Sequence, residues 1–266
     1  MHWAKVMQHK PLKKFGQNFL TQPAIAQNIV KALEISSHDY IIEIGPGKGI
    51  LSQIIIKQHP AAFSAIEIDI NLARELKEKY SKELTLIEKD FLDLNLSELL
   101  PDGKKVKVIG NIPYNITSPI LFRLIDYYSN INCAVLMMQK EVAKRITAQS
   151  GNKDYGILSV ILQTYAQIEY LFDVGHKNFN PVPKVDSAVI KINYFSNIKD
   201  IDNLKLFRKI VRGVFNYRRK MIRNSLIRIF DQSIVTCLNK FDLTKRPEQF
   251  SIDDFKELAN VIDRNI

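Results

Sequence analysis

The sequence predicts an α/β fold, a mostly parallel seven-stranded sheet with helices on both faces, followed by a small all-helical domain. Three observations carry this reading. Through the first half of the chain, short apolar runs alternate with stretches of helical spacing, the pattern of strand–helix repeats that build a parallel sheet. Glycine or acidic residues close consecutive apolar runs, at the strand ends where open α/β sheets bind ligands. Beyond residue 197 the strand signal stops and apolar residues recur only at helical spacing.

The elements follow in order. Pro23 to Leu33 reads as a helix, with Ile25, Ile29, Val30 and Leu33 as its apolar positions. Tyr40 to Ile44 is a first strand ending at Gly45, and Gly49 to Gln58 reads as the helix after it. Phe63 to Ile68 is a second strand, Asn71 to Tyr80 a charged amphipathic helix, and Leu84 to Ile87 a third strand ending near Asp90. Val106 to Ile109 and Ala134 to Met138 are the fourth and fifth strands. Ile168 to Val174 and Ala188 to Tyr194 are two more, joined by a proline-rich loop and able to pair antiparallel at a sheet edge. Ser196 to Asn203 is polar and reads as a linker. This sets the expected domains at residues 1–197, with a basic N-terminal segment, and 198–266.

The net charge of +10 is unevenly spread. Residues 1–33 carry Lys5, Lys10, Lys13, Lys14 and Lys31 without an acid, and residues 204–228 carry Lys205, Arg208, Lys209, Arg212, Arg218, Arg219, Lys220, Arg223 and Arg228 without an acid. Basic charge concentrated in two segments favours a polyanionic partner, through phosphate contacts that release counterions. On one continuous helix, Arg208, Arg212, Arg219 and Arg223 would form a stripe, but Gly213 and Asn216 leave room for a break. Cys133 and Cys237 are too far apart in sequence for a metal motif, so neither a metal nor a disulfide framework is expected. The N-terminus shows no apolar signal region and no apolar stretch spans a bilayer, so the expected location is cytoplasmic, with no membrane partner.

Two motifs carry the chemistry. Gly110 to Asn115 reads G-N-I-P-Y-N at the end of the fourth strand. An amide (Asn111), a proline-fixed backbone (Ile112, Pro113) and an aromatic ring (Tyr114) suit the gripping of a planar aromatic amine by edge and face. That points to modification of an exocyclic nucleobase nitrogen. The second motif is Glu43 to Gly49, E-I-G-P-G-K-G, between the first strand and its helix. Gly45 and Gly47 let a ligand approach the backbone closely. The spacing is not the G-x-G-x-x-G of a pyrophosphate dinucleotide site, so a smaller ligand is expected. Glu67, ending the second strand, is placed to accept hydrogen bonds from ribose hydroxyls. Asp90, ending the third, is placed to accept from an adenine amino group, with Phe91 packing on the ring; Asp93 lies in the same turn and is an alternative.

This ordered set resembles the S-adenosylmethionine-dependent methyltransferases of the Rossmann-like class. The wider pattern is similar to the ribosomal RNA adenine N6,N6-dimethyltransferases, the KsgA/RsmA/Dim family. The matching stretches are F-G-Q-N-F-L at Phe15 to Leu20, E-I-G-P-G-K-G at Glu43 to Gly49, N-I-P-Y-N at Asn111 to Asn115, F-N-P-V-P-K-V-D-S at Phe179 to Ser187, and R-R-K-M-I-R-N-S-L at Arg218 to Leu226. They run in family order, and the one departure is Ile112 where leucine is usual. The resemblance implies S-adenosyl-L-methionine as cofactor, held by Asn18, Leu20, Gly45, Glu67, Asp90 and Asn111. It also implies that the Asn111 side-chain oxygen and the Ile112 carbonyl accept the two protons of the adenine amine. This leaves the nitrogen lone pair free to attack, with Pro113 fixing the carbonyl and Tyr114 stacking on the base.

The target base must be unpaired or flipped out and held between two faces. Phe179 is the candidate for the second face, on a loop stiffened by Pro181 and Pro183. Arg218, Arg219, Lys220 and Arg223 are the candidate RNA contacts, through phosphates. The family implies dimethylation of two adjacent adenosines in a hairpin loop near the 3′ end of small-subunit (16S) ribosomal RNA, on a pre-assembled small-subunit particle, by a monomeric enzyme. Two rival readings stand beside it: the resistance enzymes that dimethylate large-subunit RNA, and a non-catalytic nucleic-acid-binding paralogue.

Overall fold

The structure, a computed structural model, describes residues 16–100 and 102–266. The lysines at positions 5, 10, 13 and 14, together with Phe15, lie outside the described residues. In chain order the elements are β1 (Phe19–Leu20), α1 (Pro23–Ala32), β2 (Tyr40–Ile44), α2 (Ser52–Ile56), β3 (Ala62–Glu67), α3 (Ile70–Tyr80), β4 (Thr85–Glu88), β5 (Val106–Asn111), α4 (Thr117–Asp126) and β6 (Ile131–Gln139). They continue with α5 (Lys140–Thr147), α6 (Ile157–Tyr165), β7 (Ala166–Val174), β8 (Phe179–Asn180), β9 (Ser187–Tyr194), α7 (Leu204–Phe215), α8 (Ile222–Leu226), α9 (Gln232–Thr236) and α10 (Ile252–Asp263).

A seven-stranded sheet has the order β4-β3-β2-β5-β6-β9-β7. The pairs β3–β4, β2–β3, β2–β5 and β5–β6 are parallel, and β9 pairs antiparallel with β6. Strand succession runs outward from β2 to β4, then returns to β2's other side at β5. The β2–β5 boundary is therefore the topological switch point, whose crevice lies beyond the carboxyl ends of these strands. In register, Ile44 lies opposite both Ile66 and Gly110. Every side chain of β6 but Asn132 and Gln139 is buried, as expected of a strand covered on both faces.

The helices form where the sequence offers both an apolar stripe and a start signal. In α1, Pro23 occupies the first turn and Ala26, Ile29 and Val30 are buried. In α3, the Asp69 side chain caps the helix by accepting the Asn71 N–H at 3.1 Å, and Leu72, Ala73 and Leu76 are buried. The helix expected from Gly49 starts only at Ser52. Gly49 has φ of 76°, a left-handed conformation that holds it in the preceding turn.

By packing, the chain divides into two compact units. One comprises the chain up to Lys140 and Tyr170–Asn193; the other comprises Glu141–Glu169 and Tyr194–Ile266. The second unit thus takes in residues 141–169 as well as the segment after the expected boundary near 197. Its core is built on α7, which buries Leu206, Phe207, Ile210, Val211, Val214 and Phe215 and is capped by Asn203 accepting the Leu206 N–H at 3.0 Å. Tyr155, Phe215, Phe255 and Phe250 follow one another with ring centroids 6.1, 5.8 and 5.6 Å apart, within the range where edge and offset ring packing is favourable. The helices α6, α8 and α10 contact α7. The break left open in the sequence is real: α7 ends at Phe215 and α8 begins at Ile222. The arginine stripe is therefore divided between two helices.

Gly110 is required by this arrangement. A Cβ at that position would stand 2.7 Å from the Ile44 backbone oxygen of the neighbouring strand, inside any real contact distance. Gly110→Ala should destabilise the fold by about 1–3 kcal/mol, the usual range for overpacking a core. Chemical denaturation should show this as a lower midpoint with an unchanged m value.

Candidate functional site

The switch point is built from four strand ends, those of β2, β3, β4 and β5, and one N-terminal strap, all within the first unit. After β2 the chain turns through Gly45 and Gly47 with φ of 64° and 58°. The Gly45 N–H donates to the Ile66 carbonyl at 2.9 Å. A Cβ on Gly47 would lie 3.0 Å from the Phe19 ring, so both the backbone conformation and the space select glycine there. Glu67, at the end of β3 and 4% exposed, holds the turn. One carboxylate oxygen accepts the Gly47 N–H at 3.0 Å and the other the Asp69 N–H at 2.9 Å. Burial raises its pKa, opposed by these backbone donors.

The strap is Gly16 to Leu20. Gln17 Nε2 donates to Asp69 Oδ2 at 3.0 Å, and the Asn18 carbonyl accepts Asn111 Nδ2 at 2.9 Å. In β1, Phe19 and Leu20 pair antiparallel with Asn180 and Phe179 of β8. Two stretches far apart in sequence are thus stitched together by a two-residue ladder that the sequence reading does not contain.

These elements enclose a cavity of about 340 Å³, within the size range of small-molecule sites. Every expected cofactor residue lies on its wall: Asn18, Leu20, Gly45, Gly47, Glu67, Asp90, Phe91 and Asn111. Of the two candidate carboxylates in the turn after β4, Asp90 lines the cavity and Asp93 is not on its wall. Asp90 Oδ1 accepts the Leu92 N–H at 2.9 Å, which orients the group.

Asn111, Ile112, Pro113 and Tyr114 form another part of the wall. The bond from Asn111 Nδ2 to Asn18 fixes the amide and leaves Oδ1 as an acceptor with no donor among the described residues. The Ile112 N–H is bound to the Met137 carbonyl at 2.9 Å, while its own carbonyl takes no described hydrogen bond. Pro113 sits at φ −57° and ψ 134°. Tyr114 is half-buried, and its hydroxyl meets Ser187 Oγ at 2.7 Å. Burial raises the phenol pKa, with the Ser187 bond opposing, so it stays protonated at neutral pH.

Phe179 departs from expectation. It is 2% exposed, packs in the core cluster with Leu20, Ile29 and Val189, and is not on the cavity wall. The reason is its pairing with Leu20 in the β1–β8 ladder, which turns it into the core, so in this structure it presents no face to a base.

Glu43 was present in the glycine motif but given no role by the sequence reading. It lies on the cavity wall at 1% exposure. Ser52 Oγ donates to its Oε2 at 2.6 Å, whereas Oε1 has no partner among the described residues. Burial, helped by the nearby Glu67 and opposed by Ser52, pushes its pKa up to about 8. The signal was in the sequence: an acid between Ile42 and Ile44 in a buried strand is costly unless it is used.

In the second unit, Arg219, Lys220 and Arg223 are exposed. Arg218 is engaged within its own unit, donating to the Lys153 carbonyl and lying 3.7 Å from Glu248. Arg208 donates to the Tyr165 hydroxyl at 2.9 Å, and Arg228 lies over the Tyr217 ring at 4.9 Å.

A mostly parallel sheet with a glycine turn and strand-end acids around one cavity at its switch point defines a methyltransferase of the Rossmann-like, S-adenosylmethionine-dependent class. The chain belongs to the ribosomal RNA adenine dimethylase family, which it matches over residues 8–264; the family's methyl donor is S-adenosyl-L-methionine. It is 44% identical over 246 residues to the ribosomal RNA small subunit methyltransferase A of Chlorobium phaeobacteroides, covering 92% of this chain and 91% of that protein. Its structure is similar to that of a dimethyladenosine transferase from Plasmodium falciparum, with a TM-score of 0.77 and 26% identity, covering 90% of this chain and 95% of the other. It is also similar to the 23S rRNA methyltransferase ErmE, with a TM-score of 0.70 and 25% identity, covering 92% and 100%.

Glu43 makes the ligand-free protein pH-sensitive. Its folded pKa of about 8 lies above the unfolded value of 4.5, so the folded state binds the extra proton. Its contribution to stability is complete below pH 4.5 and is lost as pH rises from there through 8. Glu43→Gln should flatten the fall in Tm between pH 5 and 8, measured by calorimetry on protein stripped of ligand.

Proposed function

We propose that this chain dimethylates N6 of two adjacent adenosines in the loop of a hairpin near the 3′ end of small-subunit (16S) ribosomal RNA. We place the reaction on a small-subunit particle during ribosome biogenesis in the cytoplasm, and take the enzyme to act as a monomer. The observation that carries the chemistry is the pair of acceptors without a donor among the described residues, Asn111 Oδ1 and the Ile112 carbonyl, on the wall of a cavity that also holds Glu67 and Asp90. Support for the substrate comes from the 44% identity to a small-subunit enzyme. ErmE, which acts on 23S rRNA by its name, shares the fold at 25% identity, so the fold alone does not separate the two substrates. The identity favours the small subunit.

The cavity suits S-adenosyl-L-methionine. It offers the bare backbone of Gly45 and Gly47 and the carboxylates of Glu67 and Asp90 for ribose and adenine. Bound there, the cofactor supplies an electrophilic methyl group on a sulfonium. The chain's own part is to present the nucleophile. The lone pair of the adenine amine is delocalised into the ring, so the amine attacks poorly. Acceptors at Asn111 Oδ1 and the Ile112 carbonyl draw its two protons and favour a pyramidal nitrogen with its lone pair directed outward. Pro113 keeps the Ile112 carbonyl in place, and Tyr114 provides a stacking face. Alignment and fixed dipoles then supply the acceleration without a strong base, because the nitrogen becomes acidic once alkylated and releases its proton to water.

Residues 198–266 we take as the RNA-holding domain, with Arg219, Lys220 and Arg223 as exposed phosphate contacts. Arg218 we assign to its own unit's packing.

Labelling isolated ribosomal subunits with tritiated cofactor tests the substrate. Label in the small subunit, released as N6,N6-dimethyladenosine on digestion, is expected; label confined to the large subunit overturns the reading. Asn111→Ala should lower kcat by about 10²-fold or more, the usual loss for one preorganised dipole, with RNA affinity near normal in filter binding. Reversing charge at Arg219 and Arg223 should weaken RNA binding and reduce the salt slope by about 1 per lost phosphate contact.

A further inference from the structure

Ser187 closes the motif F-N-P-V-P-K-V-D-S, and nothing in the chemistry above uses it. It is fully buried, a rare place for a serine hydroxyl unless it has a fixed partner. That partner is the Tyr114 hydroxyl, 2.7 Å away and 73 residues earlier in the chain. Ser187 is itself rigidly placed. Its Cα pairs with Gln139 in the antiparallel ladder of β9 with β6. The residue before it, Asp186, is clamped on two sides: its carbonyl accepts the Lys140 N–H at 3.0 Å, and its carboxylate accepts the His176 N–H at 2.9 Å and meets His176 Nδ1 at 2.6 Å.

Among the described residues, the bond to Ser187 is the hydrogen bond that holds the half-buried Tyr114 side chain. Tyr114 lies in a short turn between β5 and α4, where Thr117 Oγ1 donates to the Pro113 carbonyl at 3.1 Å. That bond secures the backbone, not the ring. A phenol ring on two rotatable bonds is fixed in space when its far end is held, and here the far end is held by an atom of a rigid strand.

We propose that Ser187 is a positioning residue for methyl transfer: through its hydrogen bond to Tyr114 it sets the ring against which the target adenine stacks. The bond joins the proline-rich loop to the amine-gripping turn, so that loop serves the base through Ser187 rather than through the buried Phe179. The inference rests on the methyltransferase reading and on Tyr114 as the stacking face.

A double-mutant cycle on the full-length enzyme tests it, with single-turnover rates on the small-subunit particle as readout. Cofactor affinity by calorimetry and wild-type turnover are measured first; if either is absent, the methyltransferase reading fails and the proposal falls with it, whereas failure of the cycle alone overturns only the proposal. Ser187→Ala should lower the single-turnover rate about tenfold with cofactor Kd within twofold of wild type. Tyr114→Phe, which keeps the ring and removes the hydroxyl, should lose the same factor. The double variant should lose no more than either single one, because both remove the same bond. Ser187→Thr, which keeps the hydroxyl, should recover most of the rate. Independent, multiplying losses, or a Tyr114→Phe enzyme of full activity, overturn the proposal. Should Ser187→Ala fail to fold, Tyr114→Phe alone decides, since it alters the same bond from the partly exposed side.

Discussion

The parallel pairing of β2 with β5 is the constraint on which the rest of the molecule depends. It sets Ile44 beside Gly110, at the ends of the two strands, so the glycine loop and the Asn111 to Tyr114 motif share one cavity. The approach is so close that position 110 has no space for a side chain. Every other feature of the site is arranged around this junction. Glu67 arrives from β3 to hold Gly47, Asp90 follows β4, and the strap from Gly16 to Leu20 is bonded across the front through Asn18 and Gln17.

The electrostatic character of the cavity comes from the same packing. Glu43 and Glu67 lie almost entirely out of water on its wall, and burial raises both. Such a site disfavours negative charge and rewards a cationic or hydrogen-donating ligand, as a sulfonium bearing an amino acid tail and a ribose is. The backbone donors on Glu67 also make its carboxylate a structural brace for the glycine turn, on the wall of the cavity. The positive charge of the protein is gathered elsewhere, notably on the segment from Leu204 to Arg228. The basic charge and the acid-lined cavity therefore belong to different parts of the chain.

The strands were legible because each is a short apolar run bounded by a turn former, and their observed limits lie within a few residues of the expected ones. Helices α4, α5 and α6 went unread, since their apolar residues follow or precede strands without a clear break in composition. The two-residue strands β1 and β8 were beyond reach, because a ladder that short has no periodicity and exists only when two distant segments meet. Phe179 shows the cost: as a loop aromatic in a motif it looked like a base-stacking residue, and its pairing with Leu20 turned it into the core.

By itself, the sequence determined the strand–helix alternation, the glycine turn with its strand-end carboxylates, the Asn111 to Tyr114 motif at a strand end and the concentration of basic charge. Local spacing and residue chemistry carry each of these. The tertiary structure alone decided which acids reach the cavity, choosing Asp90 over Asp93 and adding Glu43. It also decided that Arg218 is spent inside its own unit and that Ser187 holds Tyr114. Those outcomes depend on contacts between residues tens of positions apart, whose distances are set by sheet order and register.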